Sequence, residues 1–203
     1  THVNIDMLNA ARKQFEAEDN SDPQETLSIM EITMHNLRDD NDSVDLEDFI
    51  SRIEVLEATG HTVMISDYPE YYRLATYLSR YTNRRIGMTM GAHSLIELFN
   101  DQYYSALHGG ILEGFGRLFK NNVKLYIYPF KDAATNTLFK VENLNVDPKQ
   151  KYLYEYLKQA DHIQQIEAFN EDYLHIFSPD VLKKITSNEN GWENLVPEVV
   201  AEK

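Results

Sequence analysis

The chain has no cysteine among its 203 residues. That absence rules out a disulfide framework, a thiolate zinc site and thiol catalysis, and it suits a reducing compartment. No apolar run reaches the roughly 18 residues that a membrane-crossing helix requires. Asn4, Asp6 and Asn9 break up the first apolar residues, so no secretory leader is expected. The expectation is therefore a cytosolic protein that does not engage membrane. The chain begins at Thr1, which leads us to expect a piece of a longer protein. Glycine and proline are also scarce, at 8 and 6, while 42% of residues are hydrophobic. This composition builds a buried core and excludes a disordered chain.

Basic residues are in short supply. Lys and Arg total 19 against 33 Asp and Glu, a net charge of −14. A surface of that sign repels a polyanion, which excludes general nucleic-acid binding. The imbalance is uneven: residues 1–60 hold 15 acids and 4 bases, whereas residues 71–158 hold 12 bases and 7 acids. The local surplus of +5 in the middle has two readings, a solvated surface or a region that draws a small anion.

What the chain does contain is an alternation of short apolar runs with segments of helical spacing. The runs are 61–67, 85–91 and 123–130, and the pattern predicts a mainly parallel sheet covered by helices. Leu8, Ala11 and Phe15 predict a helix over 6–18, followed by a turn over 19–23. Met30, Ile32 and Met34 alternate with polar residues over 27–37, as in a half-buried edge strand. Ser43 or Asp45 is placed to cap a helix over 46–58, with Phe49, Ile50, Ile53 and Leu56 on its buried side and Gly60 at its end. Asp67, Pro69 and Glu70 together predict a helix start, and that helix buries Tyr71, Leu74, Ala75 and Leu78. Further on, 138–141 reads as a strand, Pro148 opens a helix with a stripe of Tyr152, Leu153, Tyr156 and Leu157, and 179–185 reads as a helix. Trp192, Leu195 and Val196 dock the C-terminal segment.

Ligands of such sheets sit at the carboxyl ends of the strands. The candidate site is accordingly the edge formed by Asp67, Gly91, His93, Ser94 and Lys131, with Arg73 adding charge. Gly91 and Ser94 would offer N–H and hydroxyl donors to an anion at a helix start, Lys131 or Arg73 positive charge, Asp67 either an acceptor for a ribose hydroxyl or a base, and His93 proton transfer. His93 also reads as a capping or merely exposed histidine. Four glycines between Gly109 and Gly116 cost a helix roughly 1 kcal/mol each against alanine. They serve either close helix packing or the approach of a ligand to Gly109 and Gly110. The stretch is neither a P-loop, lacking Gly-Lys-Ser/Thr, nor a dinucleotide fingerprint, since Phe119 stands where a small residue belongs. The acidic run 38–45 fails as a calcium loop, because counting from Asp40 the sixth residue is Asp45 and the twelfth Ser51. No two histidines stand at zinc-site spacing, so no metal is expected.

The stretches 49–56, 66–74, 109–119 and 192–197 resemble the C-terminal half of a family of larger bacterial proteins. Its members carry two labels, nicotinate- or nicotinamide-nucleotide adenylyltransferase and TonB-dependent receptor. The chain departs from both. It has neither the His-x-Gly-His-like nor the Ser-Ser/Thr-x-x-Arg motif of adenylyltransferases, and no run of alternating strands for a membrane barrel. The resemblance thus implies a companion domain, with any nucleotidyl transfer residing upstream.

These observations lead to an α/β, Rossmann-like three-layer domain with a mainly parallel sheet and additional terminal helices. Residues 1–43 would supply a helix, an edge strand and an acidic loop, 44–170 the core, and 171–203 a docked segment. The expected ligand is a nucleotide or other phosphorylated small molecule, with phosphoryl or nucleotidyl transfer or hydrolysis as the chemistry if there is any. No cofactor is specified. The alternative is a regulatory or oligomerisation domain that joins copies through the glycine-rich helix and the helix around Tyr152.

Overall fold

A computed structural model describes residues 1–19, 24–34 and 45–203. The acidic run 38–44, including Ser43, and the turn at 20–23 lie outside the described residues, as does the end of the predicted strand at 35–37.

The centre of the molecule is a three-stranded parallel sheet of β3 (Ile86–Gly91), β4 (Val123–Tyr128) and β7 (Ile163–Gln165), with β4 in the middle. Every residue of β4 is buried, which follows from covering both faces of a parallel strand. Alternation sends its side chains into two different cores. Val123, Leu125 and Ile127 join a large cluster with residues of α3 (Tyr71–Leu78), α4 (Ala92–Leu98), α5 (Gly110–Phe119) and α6 (Lys151–Gln159). Tyr126 and Tyr128 face the other way, toward Ala10 and Ala11 of α1 (His2–Asp19) and toward Ile166 and Leu174. Helices on both faces make three layers.

The strand predicted over 61–67 is β2 (Thr62–Ser66), and it does not join this sheet by hydrogen bonds. It pairs in parallel with β1 (Ile29–Thr33), from Ile29 against Thr62 to Thr33 against Ser66. The expectation of three neighbouring strands is thus corrected to two sheets: α2 (Leu46–Ala58) connects β1 to β2, while α4 and α5 connect β3 to β4. α2 has the expected bounds, and Asp45 caps it by accepting from the N–H groups of Glu47 and Asp48. Gly60 takes φ +76° just past its end, as a helix stop requires.

The start of α3 differs from the expectation. Glu70, not Asp67, is the cap residue, and its side chain makes no capping bond. Instead the Tyr103 hydroxyl accepts from the Tyr71 N–H at 3.1 Å and donates to the Pro69 carbonyl at 2.8 Å. The helix also buries Tyr72 completely, while Tyr71 packs against the same core partly buried. In α6 the buried residues are Tyr154 and Leu157, so the predicted stripe is rotated and Tyr152 stands 84% exposed. The short strands β5 (Phe130–Lys131) and β6 (Leu138–Phe139) form an antiparallel pair. The chain closes with α7 (Ser178–Thr186) and α8 (Glu198–Ala201). There Ile176, Val181 and Val196 pack with Trp192 and Leu195 in a small cluster of their own, which Val3 of α1 also touches.

Candidate functional site

In the three-stranded sheet Gly91 lies opposite Tyr128, so the chain leaving β3 into α4 runs beside the chain leaving β4. This brings Gly91, His93 and Ser94 to the same end of the sheet as Lys131. The His93 ring stacks on Phe130 at 3.9 Å between centroids, and Phe130 stacks on Phe139 at 4.8 Å. Asp132 lies next in the chain; two bonds from Thr135, hydroxyl first, hold its carboxyl below the ordinary aspartate range, and His93 contributes a smaller effect. A Cβ at Gly91 would meet nothing within 4 Å, so that backbone is open.

The other predicted residues lie elsewhere. Asp67 follows β2 and so belongs to the end of the two-stranded sheet. Arg73, on α3, places Nε 3.3 Å from Glu70 Oε2. The Gly109 N–H donates to Glu113 Oε2 at 2.8 Å, a bond that draws the Glu113 carboxyl below its ordinary value. Gly110 opens α5 at φ +55°, a conformation that glycine adopts without strain. A Cβ at Gly114 would stand 2.2 Å from the Tyr104 ring, so close packing against that tyrosine accounts for this glycine.

A cleft of about 860 Å³ lies between α1, β1 and β3, bordered also by α2 and α3. Its volume falls within the roughly 300–1,000 Å³ of small-molecule sites. Four of the six methionines, Met7, Met30, Met64 and Met88, stand in its walls. Three wall residues carry buried polar atoms without a hydrogen-bond partner: Thr26 Oγ1, Arg85 Nη1 and Thr89 Oγ1. Such atoms cost about 1–3 kcal/mol each when left unmade. Glu31, at the β1 wall, accepts from Ser66 Oγ at 2.6 Å. Burial raises its pKa above the ordinary glutamate value, and the Ser66 bond opposes that rise. Burial likewise pushes up the neighbouring Tyr71 phenol, and the Glu31 charge adds to the effect.

A polar network secures the α1 side of this cleft. Glu18 Oε2 accepts from Lys124 Nζ at 2.8 Å and from the Tyr126 hydroxyl at 2.9 Å, and Arg85 Nη1 lies 3.5 Å away. Lys124 also reaches Asp161 at 2.8 Å. Sequence reasoning missed these residues; the one signal was methionine at the strand positions 30, 64 and 88. Among the described residues there is no group of three or more acids and histidines able to hold a metal ion, and no helix long and apolar enough to cross a membrane. Comparison of the chain with protein-family models, with curated proteins and with solved structures returns no match.

Proposed function

We propose that this chain is a Rossmann-like small-molecule-binding domain whose ligand occupies the cleft between α1, β1 and β3. The observation that carries this reading is the cleft itself, one large and mostly apolar space into which methionines of four elements converge. Small-molecule sites are clefts of this size, with mostly apolar walls and a few polar groups that orient the ligand. The test is a thermal-shift screen of the chain with aliphatic carboxylates, nucleotides and phosphosugars. A ligand at 100 times its Kd adds about 2.7 kcal/mol of stability. The shift disappears in a Met30→Trp variant, which fills the cleft, and survives in Lys131→Ala. A shift that survives Met30→Trp overturns the reading.

A second reading keeps the phosphorylated ligand at the strand end, and open backbone at Gly91 beside the His93–Phe130 stack favours it. Nucleotide binding lost in Lys131→Ala and retained in Met30→Trp would select it.

A further inference from the structure

We propose that β1 closes onto β3 as a parallel neighbour, so that the two sheets join into one and the cleft is the open state of that sheet. The closure does not depend on which ligand the cleft takes. The joined order is β2-β1-β3-β4-β7, with the path of the chain reversing at β1, as in a doubly wound parallel sheet. Both inner edges are bare. Among the described residues β1 pairs with β2 alone and β3 with β4 alone, and Ile29–Glu31 and Ile86–Thr89 line the cleft between them. The Ile86 N–H donates to the Asn122 carbonyl beside β4 at 3.1 Å, so alternation along the strand turns the N–H and carbonyl of Gly87 and Thr89 the other way. Open edges are normally blunted by proline or lysine, and neither Ile-Met-Glu-Ile-Thr nor Ile-Gly-Met-Thr-Met-Gly carries one.

Direction and faces match as well. Arg84, just before β3, is bonded to Glu25, just before β1, which sets the two N-terminal ends side by side. Met88 and Met90 share a core cluster with Leu74 and Ala75 of α3, and Met64 packs against that cluster. Glu31 stands opposite Met64 in the β1–β2 register, so it also lies on the α3 face. Met30 and Ile32 therefore share the other face with Thr89 and with Gly87, where a Cβ would stand 2.9 Å from the Phe15 ring of α1. Little packing holds the β1–β2–α2 unit away, since α2 buries none of its residues. Closure takes the methionine-bearing walls out of water and gives both edges partners. A ligand in the cleft uses the same space and holds the sheet open.

Disulfide trapping tests this, because the chain has no cysteine and an introduced pair supplies its only thiols. Thr89→Cys is combined in turn with Met30→Cys and Ile32→Cys, which share its face in neighbouring registers, and with Glu31→Cys, which lies on the opposite face. A bridge requires Cα atoms within about 7 Å. Under mild oxidation of the folded, reduced variants, the Met30 or the Ile32 pair bridges at least about tenfold faster than the Glu31 pair. In that bridged form the Gly87 amide exchanges within about tenfold of the Met88 amide, as a ladder bond requires. Equal bridging in all three pairs, no bridge in any, or a Gly87 amide left unprotected by the bridge overturns the proposal. A bridge with no binder in the thermal-shift screen leaves closure standing and removes the cleft reading. A binder lost in Met30→Trp, with no bridge, does the reverse.

Discussion

The strand Val123–Tyr128 carries a lysine and two tyrosines and is buried at all six positions, whereas Thr62–Ser66 carries valine, methionine and isoleucine and buries only its terminal serine. The same contrast extends to their surroundings. The three-stranded sheet has helices on both faces and a large core cluster, while α2 buries none of its residues and β1 none of its five. Apolar content therefore did not decide which strand became central. Coverage did: β4 sits between two layers, and the β1–β2–α2 unit borders an open cleft. A cleft beside a thinly packed unit is a common placement for binding, because the elements that accommodate a ligand come from the less stable part of a fold.

The contrast breaks most severely at Lys124, whose side chain is only 7% exposed. Lys124→Ala leaves Glu18 facing Arg85 and Tyr126 without its main partner. Removing one member of a buried pair costs about 3–5 kcal/mol. Urea unfolding should show a loss of that size, with Lys124→Met losing less because it restores the packed volume. A loss below about 1 kcal/mol would mean that the network is solvated and that α1 is held by apolar contact alone.

Next come matched truncations in the two regions. Leu125→Ala opens a cavity in the complete core and should cost about 2–5 kcal/mol. Ile32→Ala, at a half-buried position of β1, should cost less than half as much, since less apolar area leaves water. Equal losses would show the β1–β2–α2 unit to be as tightly integrated as the central sheet. Asp45→Ala is smaller again. It removes the acceptor for two N–H groups at the start of α2 and should cost about 1 kcal/mol. If that loss appears in amide exchange of α2 and leaves β4 protection unchanged, the two regions open independently.

Local chemistry was legible in the chain and distant chemistry was not. Asp45, the bounds of α2, the turn at Gly60 and the alternation of 123–128 all depend on neighbours within a few residues. Lys124 looked like an ordinary polar position in a strand, because its partners Glu18 and Asp161 are 106 and 37 residues away. The start of α3 was misplaced for the same reason: the hydroxyl that holds it belongs to Tyr103, 32 residues on. The strand Ile163–Gln165 went unread because its Ile-Gln-Gln gives little apolar signal. Its burial comes from the Gln165 side-chain amide donating to the Ile127 carbonyl and accepting from the Val141 N–H. At the candidate edge, three residues of one segment, Gly91, His93 and Ser94, were placed together with Lys131, whereas Asp67 went to the other sheet. The cleft was invisible because α1, β1 and β3 come from separate parts of the chain, and only their packing makes it.

The smallest expected effect concerns the wall of that cleft and separates the regions by pH rather than by size. Burial raises the pKa of Glu31, and the Ser66 hydroxyl bond offsets part of the rise. With the folded pKa above the unfolded one, the folded state binds the proton more tightly. Stability from this group is therefore complete below the unfolded value and falls as pH rises through the folded value. Glu31→Gln keeps a hydrogen-bonding partner for Ser66 and removes the titration. Melting curves should show the variant at or slightly above the parent near neutral pH, and the decline that begins above the ordinary glutamate pKa should flatten. Leu125→Ala removes no titratable group, so the same scan on that variant should run parallel to the parent at every pH. A Glu31→Gln curve that also runs parallel would show that the carboxylate is fully solvated and that the cleft wall at β1 is open to water.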